Sequence, residues 1–278
     1  MYRSDAPFPV YSARQLKDRY ERYGLDPRST HPWLFDQESL SSFGQSGVLE
    51  LFRGLRIRPE HRVLSLGEGH GAPSRLLVKT VGCRVTGVDV VPRQVACARE
   101  LARFIGLSGR LEYLCQDVHD LDLGRRRFDR LYANDTMCHW SDKAAALKGA
   151  ARYLAPGALA GAHDWLLGDE GDLELAARRL PQMRGTFQRG VFFQETLVGM
   201  ARAFEAAGFE VLEASDLTRA IDRVMRRRLA ALRRLEKSLA PGDHRWIAYF
   251  KGMVRAHFRF FRYGRVIARL SAPSRSSR

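Results

Sequence analysis

Five residues, Gly67-Glu68-Gly69-His70-Gly71, constrain this chain more than any other stretch. They come directly after the apolar run His61–Leu66 (HRVLSL), which reads as a buried strand, and they open a helical pattern from about Pro73 to Val81. A strand that turns into a helix in so few residues needs backbone conformations that glycine adopts without strain. A ligand lying against such a turn also leaves no room for a Cβ. The next apolar run, Arg84–Val88, is followed by Asp89, 18 residues beyond Gly71, where a carboxylate can accept both hydroxyls of a ribose. The pair points to an adenosine-containing ligand. Gly67, Gly69 and Ala72 also satisfy the GxGxxG/A spacing of nicotinamide dinucleotide sites, and a tight turn alone would use the same glycines, so the loop by itself leaves these readings open.

The rest of the chain repeats the alternation that the loop begins. Helical segments at Gln94–Ile105 and Lys143–Tyr153 separate strand candidates at Leu111–Cys115, Phe128–Ala133 and Leu159–His163. Right-handed βαβ crossovers then predict a parallel sheet with helices on both faces. Upstream, Ser12 is a candidate cap for a helix through Tyr23, turns are expected at Asp26-Pro27 and His31-Pro32, and a second helix over Leu40–Leu55. Downstream, residues 166–195 read as a lid, Thr196–Ala207 as a helix, and Phe209–Ala214 and Tyr263–Leu270 as two more strands. The expected organisation is a helical cap over 1–44, a Rossmann-like domain over 45–217, a basic helical cap over 218–261, a last strand over 262–270 and a disordered tail over 271–278. In fold class this is an α/β, Rossmann-like, doubly wound seven-stranded sheet with a helical N-terminal extension and a helical insertion before the last strand.

Residues beside the later strands narrow the ligand. Gln116-Asp117-Val118 places an acid at the end of the third strand, where it could bond an adenine amino group, and Arg152-Tyr153-Leu154-Ala155-Pro156-Gly157-Ala158-Leu159 precedes the fifth. With the order of elements, these blocks resemble the class I S-adenosylmethionine-dependent methyltransferases over roughly residues 45–215. Within that class, GHGAPSRLL, TGVDVVPRQVACARELA and CHWSDK are similar to the small-molecule enzymes of the sarcosine, tocopherol and sugar O-methylating branch. The resemblance implies S-adenosylmethionine as cofactor. Gly67, Gly69 and Gly71 would approach its methionine part, Asp89 would hold the ribose, Val90 and Val118 would flank the adenine, and Asp117 would bond the adenine amino group. Asn134 would lie beside the transferable methyl, and Glu68 and Gln94 would belong to the same cofactor-contacting set. Two positions depart from the family: Ser65 stands where the usual D-x-G-x-G-x-G begins with an acid, and Glu68 fills a position more often small, so the carboxylate has either moved or been lost.

Methyl transfer from a sulfonium is an in-line displacement, so the protein must position a nucleophile and take its proton. His139, after strand four, and Asp164, at the end of strand five, stand where C-terminal strand ends face the ligand crevice. The resemblance implies base and orienter for them; packing by His139 and helix capping by Asp164 are the alternatives. Asp135 and Trp140 share the loop ANDTMCHW and are expected to touch substrate. Asn134-Asp135-Thr136-Met137 also resembles, distantly, the N-E-S/T-M block of prenyl-diphosphate C-methyltransferases, which implies a carboxylate and an aromatic cage around a carbocation, with Trp33, Phe35, Phe192, Phe193 and Trp246 as candidates. A methyltransferase fold repurposed for another reaction stays open as well.

Charge matters here through its location. Of the formal +15, residues 219–278 carry +14 and the first 218 only +1. Apolar residues at Ile221, Val224, Leu229, Leu232 and Leu235 fall at helical spacing, with Arg226, Arg227, Arg233 and Arg234 on other faces, and a second basic helix is expected from Trp246. A solvated face, an anionic substrate, peripheral membrane contact and nucleic acid are the readings. Nucleic acid is disfavoured because the loop after strand four is not of the N-P-P-Y type that holds a flipped base. Four scattered cysteines without CxxC, and no cluster of metal-ligating residues, predict neither a disulfide framework nor a metal site. With no long apolar run and no apolar leader, a cytoplasmic location is expected. Acceptor atom and oligomeric state have no signature.

Overall fold

The computed structural model describes residues 12–39, 41–168, 192–234 and 260–271. Three helices come first: α1 (Ala13–Arg22), α2 (Pro32–Glu38) and α3 (Gly44–Gly54). The alternating core is β1 (Arg62–Leu66), α4 (Ala72–Val81), β2 (Arg84–Asp89), α5 (Pro92–Phe104), β3 (Leu111–Cys115), β4 (Phe128–Asn134), α6 (Lys143–Ala151) and β5 (Leu154–Leu167). It closes with α7 (Leu197–Ala206), β6 (Phe209–Asp216), α8 (Thr218–Arg234) and β7 (Phe261–Leu270). The strands form one seven-stranded sheet in the order β3-β2-β1-β4-β5-β7-β6. β1 to β5 pair in parallel and β7 runs antiparallel between β5 and β6.

That order places the switch of direction between β1 and β4, the crevice where open α/β sheets bind ligands. Central strands are buried on both sides: Val63, Leu64, Ser65 and Leu66 of β1 have almost no exposure. On one face, Leu64, Leu66, Val88, Leu131, Leu147 and Phe204 share a core; on the other, Val63, Val85, Leu51, Leu77 and Tyr132 share a second. Edge strand β6 instead alternates buried and exposed positions, as a half-covered strand must.

Three expectations shift. The turn expected at His31-Pro32 is the start of α2: the His31 Nδ1 accepts the Trp33 N–H at 3.2 Å, and Pro32 sits at the first helical position, where a missing N–H costs nothing. The helix expected from Leu40 begins instead at Gly44. The fifth strand extends to Leu154 and Leu167, because β7 pairs with it from Leu159 through Leu167, so residues 166 and 167 are strand rather than lid. Residues 169–191 of the lid, Trp246 and its helix, and the tail 272–278 lie outside the described residues.

Candidate active site

The glycine loop takes the form the sequence demands. Gly67, Gly69 and Gly71 have φ of 68°, 62° and 84°, left-handed values that favour glycine. A Cβ at Gly67 would meet Thr136 Oγ1 at 1.8 Å, and one at Gly71 would meet the Tyr113 hydroxyl at 2.5 Å. At Gly69 a Cβ would meet Gln94 Oε1 at 3.6 Å, an ordinary contact, so that glycine is required by its backbone.

The departure at Ser65 resolves into an exchange of places. Buried Glu68 turns under the loop, where Ser65 Oγ bonds its Oε2, the Tyr132 hydroxyl donates to the same oxygen at 2.8 Å, and the Ser74 N–H donates to Oε1 at 2.9 Å. Gly87 of β2 makes the room, since a Cβ there would come within 2.8 Å of Glu68 Cγ. The carboxylate also caps α4, whose own N-cap, Gly71, offers no side chain.

Asp89 ends β2 beside this loop. Its Oδ2 accepts the Gly69 N–H at 2.7 Å and its Oδ1 the Val91 N–H at 2.9 Å. Burial pushes its pKa up, and these two bonds oppose the rise. The positive-φ glycines and this carboxylate at the switch point suit a ligand with a ribose and a chain laid along the loop. Other expected cofactor residues are spread around the crevice. Val90 is exposed, while Val118 packs in the core. Gln94 is buried against His70, its Oε1 3.1 Å from Nδ1. Asp117 is exposed and held by His119, whose N–H and ring nitrogen lie 2.9 and 2.8 Å from Oδ1, and these bonds outweigh burial to lower its pKa.

A buried network that the sequence does not reveal lies behind the loop. Glu38 of α2 accepts from the Arg75 Nη2 at 2.8 Å and from the Tyr20 hydroxyl at 2.6 Å, while Arg75 Nη1 donates to the His70 carbonyl at 2.5 Å. His70 Nε2 in turn bonds the Glu38 carbonyl. Burial alone would raise the Glu38 pKa, but Arg75 and its other partners bring it below the ordinary value. The N-terminal helices are thus bonded directly to the loop.

Across the crevice, β4 ends in Asn134, and Asp135 follows it. Asp135 has φ of 52°, a conformation costly for any residue but glycine, and Thr136 packs against Gly67. The Asp135 Oδ2 accepts the Ser42 N–H at 2.8 Å and the Asn134 amide at 3.3 Å. Among the described residues no well-aligned hydrogen bond reaches its Oδ1, Asn134 Oδ1, the Tyr263 hydroxyl or either ring nitrogen of His163, although the Tyr263 and Ser41 hydroxyls stand close enough to the Asp135 carboxylate to favour its charged form. Burial and then the Asp164 charge push Asp135 up to about 7, opposed by the Ser42 N–H. His163 is wholly buried, and burial followed by Arg265 lowers its pKa to about 3. Its ring lies 5.7 Å from Phe43 and 5.9 Å from Tyr263, and Trp165 lies 5.1 Å from Tyr263.

The expected pair His139 and Asp164 stand on either side of a short turn. Asp164 is buried, and its carboxylate accepts backbone N–H groups of Thr136 and Cys138 at 3.0 Å each and of Trp165 at 2.7 Å. Burial raises its pKa. His139 stacks on Phe192 at 4.7 Å. The described members of the expected aromatic cage are spread out: Trp33 meets Tyr23, Phe35 packs in the core beside α3, Phe192 lies against His139 and Phe193 is 40% exposed, while Trp246 lies outside the described residues; Trp140, expected at the substrate, is in the opposite core. Phe43, Trp165 and Tyr263 gather around His163 instead. They come from a loop, β5 and β7, so only the expected pairing of the last strand could have hinted at their meeting.

Comparison with known proteins agrees with this architecture. Residues 64–160 match the family described as a methyltransferase domain. The chain is 30% identical over 167 residues to the sterol 24-C-methyltransferase ERG6B of Gibberella zeae, covering 60% of this chain and 44% of that one. It is 31% identical over 135 residues to the methyltransferase GfsG of Streptomyces halstedii, covering 49% and 46%. It thus spans about half the length of these curated relatives. The phosphoethanolamine N-methyltransferase 2 of Haemonchus contortus, solved with phosphomonomethylethanolamine and S-adenosylhomocysteine, superposes with a TM-score of 0.73 at 19% identity, over 95% of this chain and 61% of that one. Residues 64–160, with the glycine loop and the strands around it, thus match a methyltransferase domain, and the seven-stranded sheet has the fold of the class I methyltransferases.

Proposed function

We propose that this protein transfers a methyl group to a small-molecule acceptor that is neutral when bound, between the glycine loop and Asp135. The observation that carries the reading is the buried Asp135 carboxylate, whose Oδ1 meets no well-aligned donor among the described residues, on the residue next to the one that packs against Gly67. Bound S-adenosylmethionine would supply an electrophilic methyl carried on a sulfonium. Backbone groups of Gly67–Gly71 and the Asp89 carboxylate would hold it, with Glu68 fixing the loop from beneath. The acceptor gains positive charge as the methyl arrives, and Asp135 is placed to take a proton from its O–H or N–H, or to face that charge directly. A carboxylate titrating near 7 suits proton transfer near neutrality.

His139 and Asp164 fit a supporting role in this reading: Asp164 fixes the turn through two backbone bonds, and the turn presents His139. Among the described residues, two basic side chains beside the Asp135 turn are committed, Arg228 to Asp36 and two carbonyls, and Arg265 to Glu213 and Glu50. That commitment favours a neutral acceptor over the anionic one suggested by total charge. C-methylation of an isoprenoid is the second reading, favoured by the Phe43, Trp165 and Tyr263 rings around a site bordered by Asp135 and Asp164.

Calorimetric titration with S-adenosylmethionine, S-adenosylhomocysteine and NADH tests the cofactor half, with binding of the first two and none of the third expected. Asp89→Ala should weaken that binding by ~1–3 kcal/mol, the cost of losing a charge-assisted bond. Labelled-methyl transfer to hydroxyl, amine and isoprenoid acceptors tests the rest. No binding of either sulfur compound would end the proposal.

A further inference from the structure

Arg228 stands apart from its neighbours on the basic helix. Arg219, Arg223, Arg226, Arg227, Arg233 and Arg234 are exposed, whereas the Arg228 side chain is only 10% exposed and points into the turn that carries Ser41, Ser42 and Phe43. Its Nη1 donates to the Ser41 carbonyl at 2.7 Å and to the Ser42 carbonyl at 3.2 Å, and its Nε lies 3.5 Å from Asp36 Oδ1. Packing here is close: a Cβ at Gly44 would sit 3.2 Å from Asp36 Oδ1, 3.7 Å from Val224 and 3.8 Å from the Arg228 Cδ.

The turn gripped in this way reaches the reacting end of the pocket. The Ser42 N–H donates to Asp135 Oδ2 at 2.8 Å, Ser42 Oγ accepts the Trp165 indole N–H at 2.9 Å, and the Phe43 ring lies 5.5 Å from that of Tyr263. We propose that Arg228 is a positioning residue for the acceptor site: by tying the Ser41 and Ser42 carbonyls to α8 and α2, it fixes the Ser42 N–H that aims the Asp135 carboxylate. The inference rests on the reading of Asp135 as the acceptor-side carboxylate. It gives one arginine of the basic segment a task inside the site, through a planar fork that can grip two carbonyls and a carboxylate together.

Asp135 is the group to watch, because the Ser42 N–H favours its charged form. It is faced by Asp164 from β5, Tyr263 from β7, Cys138 from the turn after β4, and the Ser41 hydroxyl beside Ser42. The experiment is a pH titration of full-length protein labelled with carboxyl-13C aspartate, the Asp135 resonance being assigned by its loss in Asp135→Asn. In Arg228→Ala the midpoint should rise by about half to one unit, since a slackened hydrogen bond to a carboxylate is worth about that much. Arg228→Lys keeps the charge but replaces the fork with a point donor, and should recover no more than half of the shift. An unmoved midpoint in Arg228→Ala would overturn the proposal, and so would full recovery in Arg228→Lys, which would reduce the effect to charge alone. If Arg228→Ala does not fold, Arg228→Lys decides: a raised midpoint supports positioning and an unchanged one refutes it. S-adenosylhomocysteine titration of the same samples should give wild-type affinity. Loss of binding in the wild type itself would refute the methyltransferase reading and leave the Arg228 result standing.

Discussion

The two sides of the crevice are built on opposite principles. Behind the glycine loop, the buried polar groups of Glu38, Arg75, His70, Glu68 and Tyr132 bond one another or the backbone. Across the crevice, Asn134, Asp135, His163 and Tyr263 hold buried atoms that meet no well-aligned hydrogen bond among the described residues. A buried polar atom left unpaired costs about 1–3 kcal/mol, so a chain that tolerates several in one place gives up stability there. The contrast teaches where pre-organisation ends: the loop is finished by the fold, and the acceptor side is left to be completed by what binds.

Breaking the finished side should have the largest effect. Arg75→Met would strip buried Glu38 of its ion-pair partner, leaving the Tyr20 hydroxyl and the more distant Lys79 charge, and losing one member of a buried ion pair costs about 3–5 kcal/mol. Denaturant unfolding should show this loss, and Arg75→Met combined with Glu38→Gln should restore part of it. If the single variant is as stable as wild type, the network behind the loop is not a stabilising one and the comparison fails on that side.

On the open side the larger effect should fall on turnover. Asp135→Asn should lower methyl transfer by ~100-fold or more, the usual scale for a proton-transferring group, while S-adenosylhomocysteine affinity stays near wild type. Stability should move the other way. Asp135 has a folded pKa of about 7 against an ordinary 3.8, so between those values the folded state holds a proton that the unfolded state has lost. Wild-type stability therefore falls as pH rises through that window. In Asp135→Asn melting temperature should depend less on pH from 4 to 7, and an equally steep slope would assign the titration elsewhere.

How much of this was legible in the sequence depends on the range of the contacts involved. The loop glycines, Asp89 and the parallel core are local patterns: a strand, a turn and a helix within a few residues. The exchange of Ser65 and Glu68 was visible as an anomaly, but its resolution needed Gly87 and Tyr132, two strands on either side of β1. Glu38 meets Arg75 across 37 residues, and Arg228 meets Ser41 across 187; no periodicity reports such pairs. The aromatic candidates misled for the same reason. Trp33 and Phe35 are conspicuous in sequence yet spent on packing, whereas Phe43, Trp165 and Tyr263 converge only because β7 returns beside β5.

The smallest effect gives the sharpest test of the open side. His163→Phe keeps a ring of similar shape between Phe43 and Tyr263 and removes two nitrogens that have no partner. Without ligand, the variant should be more stable than wild type by about 1 kcal/mol, which for a chain of this size raises the melting temperature by about 2–4 °C. The gain should grow in acid. His163 has a folded pKa of about 3 against an ordinary 6.5, so below 6.5 the unfolded chain takes up a proton that the folded one refuses, and wild-type stability declines as pH falls while the phenylalanine variant is spared that loss. Acceptor turnover should drop as stability rises, because a nitrogen kept unpaired at a cost to folding is then missing when the acceptor arrives. A variant that is less stable at every pH would mean that the nitrogens are satisfied in the resting protein, and the two sides of the crevice would be built alike.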